Sequence, residues 1–508
     1  MQQPSPSKKS EASLSHRTSR GFLWMVGQTV GSKFFGIIGQ IFLARLLSPR
    51  DFGLVAMTYN AVAVPALLRQ TGIPQILVQK QGRFARWANA AFWAELALGI
   101  AGGLCMAAAI PLATQIFHTK KLIGPMLIVA SVAPINALST VPMSSLSLNL
   151  RFREIAAIGF AYNVLAMLLS VALAFMGWGV YSFVAPLPVV AALRTISVWW
   201  LAPQKIRLDA QPRRWVLLAG DSATLLACGG LSTLSTMALT TLLGVFATPE
   251  IVGQIFFAGN LVSQVVQVLA TNLAGVLFPA LSTLKKEPKR QAAAFLRAAR
   301  SLALAGIPIC IASAVMARPL VFQFFGTKWQ LAAVAMPISA VAAAFTLVGG
   351  PAQNLLQAQG RFRSLLLWYA ISTTAYLPIL FVIVQRFGAI PALLAYAAYS
   401  AISVPWLMAI GLAPTGQWAV RLASVTKVIG PPVLMACTAL APVALLQYLV
   451  PEVRGHYIVQ IITALATAPA IYLALAWRFC PKEVDELLSH AGPLGRLLPR
   501  PGRPPNAE

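Results

Sequence analysis

The chain has 508 residues, of which 58% are hydrophobic and only 10% charged. A soluble domain carries about 25% charged residues, so this composition cannot clothe a water-facing surface and argues against a soluble enzyme. The net charge of +26 would suggest nucleic acid on a soluble protein, but here the cations fall in short connections between apolar runs, with no Arg-rich or aromatic-studded platform. That pattern points to membrane topology and predicts no nucleic-acid partner.

The first twenty residues are Ser-rich and carry Lys8, Lys9, Arg17 and Arg20. No short apolar core with a small-residue cleavage site follows, so no removable leader is expected. A membrane span needs about 20 apolar residues. Fourteen such runs follow, near 21–44, 53–78, 88–113, 122–147, 155–176, 179–202, 215–246, 251–280, 298–325, 330–356, 364–385, 388–412, 425–449 and 457–478. The tail from Pro493 is rich in Pro, Gly and Arg, a composition expected to be disordered. Trp87, Trp93, Trp199, Trp200, Trp215, Trp329 and Trp477 lie near span ends and are expected to form an interfacial belt.

Counting Lys and Arg on alternate sides, with the N-terminus inside, places 28 on the inner side, 8 on the other and three within spans. The bias predicts both termini in the cytoplasm of an inner-membrane protein. Two short motifs also recur. Ile116-Phe117-His118-Thr119-Lys120 returns as Phe324-Phe325-Gly326-Thr327-Lys328, and Arg151-Phe152-Arg153 returns as Arg361-Phe362-Arg363. Six runs separate the copies, which predicts a parallel repeat about an axis along the membrane normal. The expected architecture is all-α and polytopic, with about 14 transmembrane helices. It comprises a cytoplasmic segment at 1–20, a six-helix lobe at 21–202, a linker at 203–214, a second six-helix lobe at 215–413, two further helices within 425–478 and a cytoplasmic tail at 479–508.

No catalytic constellation is visible, which predicts a non-enzyme. The four histidines are scattered, the five cysteines show no metal spacing, and there is no phosphate-binding GxxxxGK[ST] loop. No cofactor or metal is expected. The informative residues are ionisable groups within spans, each costing about 2.5–3.5 kcal/mol on insertion scales. Lys33 sits mid-span beside a polar stripe of Gln28, Thr29, Ser32, Gly36 and Gln40. Arg69 and Arg194 lie within the second and sixth runs. These three are candidate anion-binding residues, and Arg297 and Arg300 are candidate attraction residues at the inner mouth. Glu95 and Asp221, the in-span acids, lie near span ends and are candidates for ion coupling or pairing. The excess of deep cations favours a phosphate-bearing cargo over a cationic drug.

The run Phe42-Leu43-Ala44-Arg45-Leu46-Leu47-Ser48-Pro49-Arg50-Asp51-Phe52-Gly53-Leu54-Val55-Ala56-Met57 closely resembles a stretch of bacterial polysaccharide-biosynthesis membrane proteins. These are the lipopolysaccharide and O-antigen flippase-like members of the multidrug/oligosaccharidyl-lipid/polysaccharide exporter superfamily. Weaker matches follow at Thr71-Gly72-Ile73-Pro74 with Leu77-Val78-Gln79-Lys80, Asn149-Leu150-Arg151-Phe152-Arg153, Tyr181-Ser182-Phe183-Val184, Leu277-Phe278-Pro279-Ala280-Leu281-Ser282 and Phe325-Gly326-Thr327-Lys328-Trp329, so the resemblance covers roughly 20–410. Physically, the first block reads as a tight turn: Ser48 and Asp51 suit capping, Pro49 starts a helix, and Gly53 permits close packing.

The resemblance implies two lobes about a central cavity, alternating access, and a polyprenyl-pyrophosphate-linked oligosaccharide as cargo, with membrane lipid and a polysaccharide polymerase as partners. One element of the family's pattern departs. An Asn-x-Asp-like feature is expected in the seventh span, where this chain reads Ser235-Thr236-Met237-Ala238-Leu239-Thr240, with no acid to couple an ion. Two alternatives remain open: a multidrug-type cation antiporter, which would need deep carboxylates, and a membrane polysaccharide polymerase or ligase, which would need a sizeable outer loop or clustered catalytic residues.

Overall fold

A computed structural model describes residues 8–67, 84–149, 151–202, 223–449 and 457–481. Among these the long elements, in chain order, are α1 (Lys8–Leu46), α2 (Pro49–Ala66), α3 (Phe84–Ala108), α4 (Ile123–Leu148), α5 (Phe152–Phe175), α6 (Pro186–Leu201), α7 (Ala223–Phe246), α8 (Pro249–Thr283), α9 (Pro288–Val315), α10 (Gln330–Ala358), α11 (Phe362–Phe387), α12 (Ala389–Gly411), α13 (Trp418–Leu449) and α14 (Tyr457–Phe479). They follow the order of the apolar runs, and the described residues contain no strand.

Eleven described helices are long and apolar enough to cross a membrane; α1, α2 and α8 are not among them. The sequence gives the reason for α1 and α2. The polar stripe of α1 lowers its apolar content, and the described part of α2 is 18 residues that carry Arg50 and Asp51 in the first turn. Large side chains such as Trp200, Leu465, Phe34 and Phe175 are widely exposed on the helices. Such surface is sustained by lipid, not water: the chain is a multi-pass membrane protein.

The chain forms two compact units, Met1–Gly253 and Gln254–Glu508. In the first, α1 packs on α5, α3 on α4, and α6 on both α4 and α5, while α2 contacts α3, α4 and α7. Its residues Phe52, Leu54, Val55, Ala56, Met57 and Thr58 are all buried. The turn before α2 forms as its residues predict. Ser48 is the N-cap, its Oγ accepts from the Asp51 N–H at 3.3 Å, and Asp51 Oδ2 accepts from the Ser48 N–H at 3.0 Å, a capping box followed by Pro at the first helical position. The α1–α5 contact is close because glycines line it: a Cβ at Gly31 would lie 3.0 Å from Phe160, and one at Gly159 would lie 3.0 Å from the Gln28 amide.

In the second unit α9 packs on α10 and α13, α12 on α10 and α11, and α14 on α13. Gln254 Oε1 accepts from the N–H groups of Leu331 and Ala332, two donors of the first turn of α10 that have no intrahelical partner. Trp329 corrects the interfacial-belt expectation: it is fully buried, its ring 4.0 Å from that of Phe257. Proximity to a span end is not exposure when a neighbouring helix supplies a ring to cover the indole.

The recurring motifs adopt matching local structures. Arg151 and Arg361 have nearly the same backbone angles (φ −82, ψ 50 and φ −88, ψ 49) at the starts of α5 and α11. Each N–H closes onto the preceding helix, at Leu146 and Leu356. Each guanidinium donates to a terminal carbonyl of the sixth helix of its set, Arg151 to Leu201 at 2.8 Å and Arg361 to Ile410 at 2.9 Å. His118 and Gly326, also repeat partners, both take positive φ (49 and 89) before a short 3-10 turn.

Prolines within the helices leave carbonyls without their usual donor four residues on. Two of these are taken across helices. Pro142 frees the Leu138 carbonyl, which accepts from Trp199 Nε1 at 2.9 Å, and Pro308 frees that of Leu304, which accepts from the Tyr472 hydroxyl at 2.8 Å. Tyr472→Phe strands the second carbonyl in a part-buried site. We expect a loss of about 1–3 kcal/mol, read as a lower unfolding midpoint in detergent, whereas Tyr457→Phe serves as a control, its hydroxyl making no hydrogen bond among the described residues.

Candidate functional site

Within the first unit a cavity of about 440 Å³ lies among α1, α4, α5 and α6, within the ~300–1,000 Å³ range of ligand pockets. Each helix contributes a polar side chain to an otherwise apolar wall: Gln28 from α1, Asn136 from α4, Tyr162 and Asn163 from α5, and Arg194 from α6. Gly159 makes room for Gln28. Asn163 Nδ2 donates to Ser32 Oγ at 3.4 Å, and Tyr162 shares a hydrogen bond with Ser197. Thr195 Oγ1 donates to the Ile135 carbonyl at 3.1 Å, which ties α6 to α4 one residue from Arg194 and fixes the side of α6 on which the guanidinium emerges.

Arg194 gives the cavity its sign. It lies about 10 Å along the helix from Leu201 at a rise of about 1.5 Å per residue, so it is not at the helix end. Its Nε is buried and has no hydrogen-bond partner among the described residues. Among the described residues no carboxylate lines the cavity. A guanidinium with an unspent donor, beside two amides and a phenol, is suited to an anion carried next to hydroxyl groups.

The other candidates from the sequence are placed as follows. Lys33 is half-buried on α1 one residue from Ser32, but it is not among the residues lining this cavity. Glu95 is buried in α3, also away from the lining. Arg297 is exposed and Arg300 half-buried, three residues apart on α9 in the second unit. Arg69 and Asp221 lie outside the described residues. Asn136, Tyr162 and Asn163 escaped the sequence reading, which weighed charged groups and, of the uncharged polar residues within spans, only the stripe beside Lys33. The available signal was two asparagines in the middle of apolar runs, where an unpaired amide is costly.

If Arg194 serves a ligand and not the fold, Arg194→Met should leave the unfolding midpoint in detergent unchanged or raise it, since a side chain of similar length replaces a buried, unpaired donor. A fall of several degrees would make Arg194 a structural strut.

Residues 42–334 match the family described as polysaccharide biosynthesis protein. The succinoglycan biosynthesis transport protein ExoT of Rhizobium meliloti (strain 1021) is 24% identical over 316 residues, 62% of this chain and 64% of that protein's length. The lipopolysaccharide biosynthesis protein WzxC of Escherichia coli (strain K12) is 22% identical over 398 residues, 74% of this chain and 77% of WzxC. Among solved structures, the lipid II flippase MurJ in an inward closed conformation aligns with a TM-score of 0.66 at 12% identity, covering 89% of this chain and 97% of MurJ. An inward-facing multidrug resistance MATE transporter of the MOP superfamily aligns at 0.57 and 13% identity, covering 78% and 96%. The fold is therefore the one these transporters share. With more than half of its length matched, the chain belongs to the polysaccharide biosynthesis protein family.

Proposed function

We propose that this protein flips a polyprenyl-pyrophosphate-linked oligosaccharide from the cytoplasmic to the periplasmic leaflet of the bacterial inner membrane. Family membership over residues 42–334 carries the reading. The names of ExoT and WzxC place those relatives in exopolysaccharide and lipopolysaccharide biosynthesis, and the fold is that of the lipid II flippase MurJ. The cation-bearing cavity of the first unit supports an anionic cargo and argues against a cationic drug, which would call for a carboxylate in the wall. Both termini lie in the cytoplasm on this reading, and the basic connections hold to that side.

In this mechanism lobe rocking exposes the site first inward, then outward. Arg194, with Lys33 and Arg69, pairs with phosphate oxygens or with an acidic sugar. The amides of Gln28, Asn136 and Asn163 take sugar hydroxyls, and the lipid tail stays in the bilayer. Arg297 and Arg300 draw the anionic headgroup toward the inner mouth. Glu95 and Asp221 serve for pairing or ion coupling. A polysaccharide polymerase would receive the product on the far side. The protein performs no bond chemistry of its own.

Translocation of lipid-linked oligosaccharide in proteoliposomes tests the reading. Arg194→Ala and Lys33→Ala should each slow transport roughly 10- to 100-fold, from a loss of about 1.5–3 kcal/mol for hydrogen bonds to a charged group. The Lys33→Arg and Arg194→Lys variants should be milder because charge is kept. Wild-type rates in both alanine variants at normal expression would overturn the cationic site. An alkaline phosphatase fused to the C-terminus should be inactive; activity would reverse the orientation.

A further inference from the structure

Three tryptophans form a ladder at the end of the second unit where α11 begins, α12 finishes and α13 begins. Trp368 of α11 stacks on Trp406 of α12, with ring centroids 6.3 Å apart and planes 10° apart. Trp406 in turn meets Trp418, the first residue of α13, at 4.9 Å. Arg421 continues the series. Its guanidinium lies 5.8 Å from the centre of the Trp418 ring, and its Nε donates to the Gly416 carbonyl at 2.6 Å. Arg361 ties the start of α11 to the end of α12 through the Ile410 carbonyl, which fixes the two helices that carry Trp368 and Trp406.

The fold leaves this rim unspent. Trp406 and Trp418 are exposed and Trp368 is half-buried. Among the described residues no acceptor meets their indole N–H groups. Arg363, in the first turn of α11, is exposed and has no hydrogen bond or ion pair among the described residues. The surrounding chain supplies no counter-charge, since from Pro288 to Leu449 it contains no Asp or Glu. Toward the middle of the spans the exposed surface turns aliphatic. Leu367 and Ile371 follow Arg363 at intervals of four along α11, and Leu394, Ala398 and Ile402 lead to Trp406 at the same interval along α12. Each row is one face of a helix.

The internal repeat does not account for the ladder. Trp368 stands seven residues after Arg361, where the first unit has Ile158 seven after Arg151. Trp406 stands four before Ile410, where the first unit has Ser197 four before Leu201. An interfacial belt alone scatters indoles along a rim and does not require three in contact. Guanidinium groups, indoles and aliphatic surface follow one another here as phosphate, glycerol and acyl chain do in a phospholipid.

We propose that this rim binds an anionic phospholipid. Arg363 and Arg421 meet its headgroup, Trp406 and Trp418 its glycerol region, and the Leu367 and Ile402 rows an acyl chain. Cations near the ends of membrane helices attract anionic headgroups. A zwitterionic headgroup would bring a cation to a rim without a carboxylate to receive it. A choline-type cation would seek an indole face, and Arg421 already covers one on Trp418. With the basic connections in the cytoplasm, the lipid belongs to the inner leaflet. Binding itself depends neither on that orientation nor on the flippase reading.

Native mass spectrometry of the purified full-length chain in detergent tests this, with titration by phosphatidylglycerol or by phosphatidylcholine of the same acyl chains. The wild type should bind the first phosphatidylglycerol roughly 10-fold more tightly than the first phosphatidylcholine, a preference that shrinks as salt rises. Arg363→Gln and Arg421→Gln should each weaken phosphatidylglycerol binding about 5-fold, the worth of one basic residue at an anionic surface, and leave phosphatidylcholine binding unchanged. Trp418→Leu should weaken both lipids. Arg421 also holds the turn at Gly416, so its variant could fail to fold; Arg363→Gln removes no bond among the described residues and keeps the test decisive. Equal affinity for the two lipids in the wild type, or a preference undiminished in Arg363→Gln, overturns the site. Displacement of phosphatidylglycerol by an equal concentration of inorganic phosphate would make this a site for a free anion and overturns the lipid assignment as well.

Discussion

A helix in lipid has no water to complete its hydrogen bonds, and the structure is organised by that constraint. Proline is frequent here, with 35 residues, and each one inside a helix frees a carbonyl. Trp199 and Tyr472 supply the missing donors at Leu138 and Leu304 from neighbouring helices. The same need acts at helix ends, where Arg151 and Arg361 reach the last turns of α6 and α12 and Gln254 covers the opening of α10. These bonds lock helix to helix where apolar packing has little preference, because lipid tails are as apolar as the helix faces they would replace.

Ionisable groups fall under the same constraint. Arg151 is satisfied by Glu154 and Leu201 at a span end. Arg194 Nε has no partner among the described residues, although it lies deeper, and the described cavity wall holds amides and a phenol but no acid. A helical bundle retains such a cation at a cost of a few kcal/mol, which the proposed anionic ligand would offset. The unsatisfied donor and the converging amides thus connect the packing of α1, α4, α5 and α6 to the proposed handling of a charged lipid headgroup.

Much of this was legible in the sequence, for definable reasons. Apolar runs long enough to span determine the order of the helices, because helices satisfy their backbone internally and length alone reveals them. The Ser48–Asp51 capping box was legible because all its atoms come from four consecutive residues, and the Arg151/Arg361 pair because the motif repeats. The cavity was not. Its polar residues come from four helices, and no spacing along one helix predicts which faces converge. Trp329 misled because its place near a span end said nothing of Phe257, which buries it. The close packing at Gly53 was half legible: the residue was read as a close-packing site, but the Pro249 carbonyl that a Cβ there would meet comes from far along the chain, and only the folded chain joins them. Lys33 is a candidate on depth alone, since it lies on α1, one of the cavity's helices, but not on the cavity wall.

The claim that a guanidinium in the first unit holds an anionic lipid-linked glycan is tested most directly by binding, separated from transport. Purified protein would be titrated with a polyprenyl-pyrophosphate-linked oligosaccharide and with the same glycan on an uncharged polyprenyl carrier, for wild type and Arg194→Met, at low and high salt. The structure predicts tighter binding of the pyrophosphate form to the wild type, a preference that shrinks with Arg194→Met and weakens as salt rises. Equal affinity for the charged and uncharged ligands, indifferent to Arg194 and to salt, would contradict it.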